Sequence, residues 1–191
     1  MGNYYHTKES VEEYIRKAEG HDGRQIISRL KEYLPAGSTL LEIGSGPGTD
    51  WKILKEYYNV FGSDNSLEFL KYLQASIPHG VFLELDARSL ETSLRFDGIY
   101  SNKVLHHLED EVLEVSIKGQ FEILNHDGIV CHTFWKGENS EIYNDLFVNY
   151  HTDEGIRVLF EQHFEPLLIK FYKEFEKADS ILYIGKKRRL R

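Results

Sequence analysis

Apolar residues along the chain follow two alternating rhythms, stripes at helical spacing and short continuous runs of strand length. From Glu9 to Glu19, Val11, Tyr14, Ile15 and Ala18 form one stripe of a polar helix, too thin to bury deeply. Gly20-His21-Asp22-Gly23 interrupts, and a second helix from about Asp22 to Leu34 sets Ile26, Ile27, Leu30 and Leu34 on one face before Pro35 and Gly37 end it. The run Leu40 to Ile43 then breaks into the alternate glycines Gly44, Gly46 and Gly48, after which Thr49-Asp50 opens a new helix to about Tyr58. The pattern repeats: strand Asn59 to Ser63, helix Ser66 to Ser76, strand Val81 to Leu85, strand Phe96 to Ser101, helix Asp110 to Leu124, strand Gly128 to Phe134. Beyond Trp135, Glu141 to Phe147 and Asp153 to His163 read as two more helices. Phe164 to Phe175 and Ser180 to Ile184, joined by a charged loop, read as a β-hairpin. Alternation of this kind predicts an α/β fold, doubly wound, with right-handed crossovers and helices on both faces of a parallel sheet.

The glycine turn is the first candidate for chemistry. Glycine accepts positive φ without steric cost and lets the backbone approach a flat ligand. The spacing excludes two phosphate readings. A dinucleotide fingerprint needs a third glycine where Thr49 stands, and a phosphate loop needs a lysine after Gly48. Asp50 beside the helix N-terminus also opposes a bound pyrophosphate. What remains is Glu42 at the end of one strand and Asp64 at the tip of the next, where a carboxylate can accept from a ribose diol.

Four motifs in order, LEIGSGPG at 41–48, GSD at 62–64, LDA at 85–87 and FDGIYSNKVLHHL at 96–108, resemble the class I S-adenosylmethionine-dependent methyltransferases, specifically the small methyltransferase-domain branch. The resemblance implies a Rossmann-like seven-stranded sheet of order 3-2-1-4-5-7-6 with the last strand antiparallel. The chain would be one domain over 1–191, with a helical cap and first packing helix at 1–35 and the sheet core at 36–191. Its cofactor would be S-adenosylmethionine and its product S-adenosylhomocysteine. Carried onto these positions, the backbone of Gly44 and Gly46 would contact the methionine part, with Ser45 and Gly48 in the same turn and Glu42 orienting it. Asp64, followed by Asn65, would hold the ribose. Asp86 would accept from the adenine amino group, the Ala87 N–H would meet a ring nitrogen, and Ser101 or Asn102 would meet the methionyl ammonium or the acceptor. Asp64 and Asp86 are also compatible with a plain turn-capping role.

Composition narrows the partners. The 191 residues are 41% hydrophobic and 28% charged, enough for one core, and the net charge of −8 opposes a large nucleic-acid surface. One cysteine, Cys131, in an apolar run, excludes a disulfide framework and reads as a buried thiol in a reducing compartment. With no membrane-length apolar run and no signal-peptide pattern, the expectation is a soluble cytoplasmic protein, monomer or homodimer, without membrane or nucleic-acid partners. The basic end, Lys186 to Arg191, reads as a solvated strand end. No metal-ligand spacing stands out.

Methyl transfer from a sulfonium needs chiefly alignment, and a general base only where the acceptor carries a proton. His106 and His107 are the candidates for that base, against a structural role at a helix entry. Tyr4, Tyr5, His6 and Tyr14 are candidates for a substrate-facing cap and Trp135 for a pocket wall, whereas His132 reads as structural. SNKV stands where exocyclic-amine nucleobase methylation requires Asn/Asp-Pro-Pro-Tyr, which disfavours nucleobases. The leading expectation is a small-molecule acceptor. A protein or peptide methyltransferase and a non-catalytic S-adenosylmethionine-binding subunit are the alternatives.

Overall fold

A computed structural model describes residues 5, 7–143 and 145–189. Tyr4 and His6 of the expected cap, and the last two residues of the basic end, lie outside the described residues.

Helix α1 (Lys8–Ala18) starts at Thr7, whose hydroxyl accepts from the Ser10 N–H at 3.2 Å, and of its stripe only Val11 is buried. Helix α2 (Arg24–Leu30) buries Ile26, Ile27 and Leu30 against the sheet. The order continues β1 (Thr39–Ile43), α3 (Thr49–Leu54), β2 (Asn59–Asp64), α4 (Leu67–Ser76), β3 (Val81–Glu84), β4 (Phe96–Asn102), α5 (Asp110–Ile123) and β5 (Leu124–Trp135). A small hairpin, β6 (Ser140–Tyr143) and β7 (Leu146–Asn149), precedes α6 (Asp153–Glu161), β8 (Phe164–Tyr172) and β9 (Ser180–Lys187).

Seven strands pair in the order β3-β2-β1-β4-β5-β9-β8. The first five are parallel and β9 runs antiparallel to both β5 and β8. This is the doubly wound sheet expected, with the final strand inserted antiparallel. Because strand residues alternate faces, each central strand feeds two cores. On β4, Ile99 enters the layer under α5 and α6 with Leu113, Ile117 and Phe160. Its neighbour Tyr100 enters the layer under α2 and α3 with Ile27, Leu30 and Leu54. Each fully buried Leu or Ile here contributes about 1.5–3 kcal/mol, so truncating a central residue such as Leu41 to Ala would cost about 2–5 kcal/mol.

Two local expectations differ from the structure. Glu141 to Phe147 is not a helix: it is part of the β6–β7 hairpin, in which Tyr143 pairs with Leu146 and Asp145 adopts φ +61°. Asp tolerates the left-handed region at a tight turn, and the Ile, Tyr, Phe and Val of the flanks favour extended backbone. The second difference is β5, which begins at Leu124, directly after α5. Leu124 pairs with Phe96 and Ile129 with Gly98, so three exposed residues, Asn125 to Asp127, bulge between them.

The basic end is spent internally. Lys186 Nζ lies 2.9 Å from Asp127 Oδ1, Lys187 Nζ donates to the Leu124 carbonyl at 2.6 Å, and Arg188 Nε donates to the Glu161 carbonyl at 2.7 Å. Among the described residues, no helix is long and apolar enough to cross a membrane.

Candidate active site

The carboxyl ends of β1, β2 and β4 converge where the winding direction reverses between β1 and β4, the crevice that open parallel sheets use for ligands. The glycine turn fills this point. Gly44, Gly46 and Gly48 take φ of +70°, +48° and +78°. A Cβ on Gly44 would stand 2.6 Å from Val104 Cγ2 and one on Gly48 2.7 Å from Leu73 Cδ2, so both are confined by packing. A Cβ on Gly46 would meet only the Tyr14 ring, at 3.8 Å, because this glycine faces a cavity.

Buried polar bonds hold the turn. Ser45 Oγ donates to Glu42 Oε2 at 2.6 Å and accepts from the Ser63 N–H at 3.1 Å. The Ser45 N–H reaches the Ser63 carbonyl at 2.7 Å. Glu42 is 3% exposed, and desolvation, reinforced by the charge of Asp50, raises its carboxyl well above the usual range. Asp64 accepts from the Gly46 N–H at 3.0 Å and from the Ser66 N–H at 2.9 Å, so it ties the turn to the start of α4 while lining the cavity.

Two cavities open from the turn, of about 450 and 700 Å³. The smaller runs past Asp64, Asn65, Phe69, Leu85 and Ala87. The larger runs past Glu42, Ser45, His106, Trp135 and Phe175. They meet at Gly44, Gly46, Asn102, Lys103 and His107. Tyr5 and Tyr14 line both and pack edge to face with ring centroids 5.3 Å apart, each also touching Phe69. Hairpin β6–β7 covers both, giving Ile142 and Phe147 to the smaller and Tyr143 and Val148 to the larger, with Leu146 shared.

Three residues of the expected cofactor set face elsewhere. Gly48 packs on α4. Ser101, fully buried, has its hydroxyl 2.8 Å from His132 Nδ1, because on β4 it shares the face of Ile99 and leaves the cavity side to Asn102. Asp86 is engaged by the Arg88 guanidinium and by the Arg88 N–H at 2.9 Å; this pairing lowers its pKa, and Ala87 and Arg88 line the cavity in its place.

Two residues not singled out for the site emerge beside it. Asp50 accepts from the Gly23 N–H at 2.6 Å, the Tyr100 hydroxyl at 2.7 Å and Asn102 Nδ2 at 3.0 Å, which joins α2, α3 and β4 under the larger cavity. Lys103 adopts φ +54°, and its Nζ donates to the Phe134 carbonyl at 2.9 Å and Ser180 Oγ at 2.8 Å while lying 3.3 Å above the Trp135 ring. Burial brings its pKa down to about 7 against the pull of Glu174 and Asp179. No local pattern marks this strained lysine; the β5–β9 pairing creates its surroundings.

The two histidines differ. His107 Nδ1 lies 2.7 Å from the Phe147 carbonyl. A carbonyl only accepts, so Nδ1 carries the proton and Nε2 keeps the lone pair. Desolvation lowers the His107 pKa, partly offset by that bond. His106 is 3% exposed with Nδ1 lacking a hydrogen-bond partner, and burial with neighbouring positive groups keeps it neutral. Among the described residues no group of three or more His, Cys, Asp or Glu is placed to hold a metal ion.

Comparison with known proteins agrees with this geometry. Residues 40–128, from β1 into β5, match a family model described as "Methyltransferase domain". An uncharacterized methyltransferase of Oceanobacillus iheyensis is 26% identical over 170 residues, spanning 86% of this chain and 78% of the relative. The crystal structure of a Burkholderia thailandensis 1,6-didemethyltoxoflavin-N1-methyltransferase, with S-adenosylhomocysteine bound, superposes with a TM-score of 0.74 at 19% identity, over 87% of this chain and 78% of that one. The N-methyltransferase NodS of Bradyrhizobium japonicum, also with S-adenosylhomocysteine, gives 0.69 at 16% identity, over 87% of each. The fold is thus that of the class I methyltransferases, and residues 40–128 carry the match to a methyltransferase domain.

Proposed function

We propose that the protein methylates a small-molecule acceptor seated in the larger cavity, with the cofactor held in the smaller one. The observation that carries this reading is the junction of the two cavities at Gly44, Gly46, Asn102, Lys103 and His107, covered by one short hairpin and by Tyr14 of α1. The smaller cavity suits the cofactor: open space at Gly46 would be filled by any Cβ, Asp64 and Asn65 stand at the strand tip where a ribose binds, and Leu85, Ala87 and Val112 offer an apolar slot for a base. Bound there, S-adenosylmethionine supplies a methyl group activated by a sulfonium. The chain supplies the rest. Asn102, fixed by Asp50 and by the Thr133 hydroxyl at 2.6 Å, and the glycine turn set the orientation. Tyr5, Tyr14 and the hairpin exclude water. His107 takes a proton at Nε2 where the acceptor must lose one, its tautomer fixed by Phe147.

Calorimetric titration with S-adenosylmethionine, S-adenosylhomocysteine and NADH tests the reading. Micromolar binding of the first two and none of NADH is expected, after which acceptors are screened by product release. Folded protein that ignores S-adenosylmethionine would overturn the assignment.

A further inference from the structure

We infer that the acceptor is a small amine, recognised in the larger cavity as an ammonium by its carboxylates and aromatic walls and completed by the unpartnered nitrogen of His106. The inference rests on the proposal that this cavity is the acceptor site.

The charge balance comes first. Asp22, Asp50, Glu141, Glu174 and Asp179 line the cavity, against Lys17, Lys103 and Lys136. Burial raises the Glu42 carboxyl well above its usual range, which disfavours a charge there. The space is therefore net negative within a low-dielectric wall, which attracts cations and repels carboxylate or phosphate acceptors. The wall itself is aromatic, with Tyr14, Trp135, Tyr143, Tyr150 and Phe175. Aromatic faces among carboxylates are the surroundings in which an ammonium is stabilised best.

Second, the protein already places an ammonium here. Lys103 Nζ rests on the Trp135 face between two oxygen acceptors, and burial brings its pKa to about 7. A ligand amine seated nearby meets the same kind of wall, and the carboxylates favour its ammonium form until a base takes the proton.

Third, His106 lines this cavity, 3% exposed, and its Nδ1 has no partner within the protein. A buried polar nitrogen without a partner is costly, and a ligand that hydrogen-bonds to it removes the cost. In a net-negative cavity, an N–H group is the donor that fits.

In the transfer, the bound ammonium gives one proton to His107 Nε2. Its freed lone pair forms the new N–C bond as the C–S bond breaks, the electron pair stays on sulfur, and the imidazolium proton leaves to water.

The test uses three probes that share one ring and differ in charge: phenethylamine, 2-phenylethanol and 3-phenylpropionate. Each is titrated calorimetrically into protein saturated with S-adenosylhomocysteine. The amine is expected to bind about tenfold more tightly than the alcohol, with no detectable binding of the carboxylate. Glu174→Gln should weaken the amine about threefold or more and leave the alcohol unchanged. Equal binding of amine and alcohol, preference for the carboxylate, or failure of all three to bind while S-adenosylhomocysteine binds normally would overturn the amine assignment and leave the cofactor reading standing. Absence of S-adenosylhomocysteine binding would overturn the reading beneath it.

Discussion

Mild acid should destabilise this protein through its buried histidines before its carboxylates titrate. His132 has no exposed surface. Its Nε2 lies 2.8 Å from Gln120 Oε1 and its Nδ1 2.8 Å from the Ser101 hydroxyl. The amide oxygen only accepts, so Nε2 carries the proton and Nδ1 accepts from Ser101, which leaves the neutral ring satisfied and gives a second proton no place. Desolvation takes the pKa down to about 3, against about 6.5 in the unfolded chain. The unfolded state therefore binds more protons below pH 6.5. The stability that the neutral ring confers is complete above that pH and is lost progressively as pH falls toward 3. This one residue removes about 2 kcal/mol at pH 5 and about 5 kcal/mol once the loss is complete. His106, also held neutral by burial, acts with the same sign. Glu42 acts oppositely, because its raised folded pKa makes acidification favour the folded state. Urea unfolding at pH 7 and pH 5, for wild type and His132→Gln, isolates the term. The variant should be less stable at pH 7, yet its loss between the two pH values should be about 2 kcal/mol smaller than that of wild type. An identical loss in both proteins would refute the reasoning.

Other consequences are as direct. Asp64→Ala should weaken S-adenosylmethionine by ~1–3 kcal/mol, the scale of charge-assisted hydrogen bonds, and unchanged affinity in folded protein would remove the ribose assignment. Gly46→Ala should stay folded with only the roughly 1 kcal/mol strain of its positive φ, since its Cβ meets nothing closer than 3.8 Å, but lose cofactor affinity; Gly48→Ala, strained likewise and with Leu73 at 2.7 Å, should lower the melting temperature further. Calorimetry and thermal denaturation of the pair separate the two roles, and equal effects would show that the turn is not oriented as described. Asp50→Ala strips a partner from Gly23, Tyr100 and Asn102 and should cost about 2–3 kcal/mol by denaturant titration, whereas a neutral result would mean that water replaces the carboxylate.

How much of this was legible in the chain follows the range of each signal. Strand-length runs, helical stripes and the glycine turn are properties of neighbouring residues, so the doubly wound class, the order of elements and the location of the crevice at β1 and β4 could be read from them. The family motifs supplied the strand order, including the antiparallel β9, and the histidine buried on β5 was legible from its apolar setting. The direction of a side chain at a strand end was not. Ser101 and Asn102 are adjacent in sequence, but register and the alternation of β4 turn one toward His132 and the other toward Asp50. Asp86 stands at the predicted strand end, but the Arg88 two residues on claims its carboxylate. The segment 140–149 carries a pattern that serves helix or hairpin; its pairing over the cavities, anchored where His107 meets Phe147, decided for the hairpin. Lys103 owes its perturbed amine to Phe134, Ser180 and Trp135, brought together by the pairing of β5 with β9. The sequence by itself determined the periodicities and hence the layers. Only the tertiary structure decided which polar groups share a buried space, because that depends on strand register and on partners dozens of residues away.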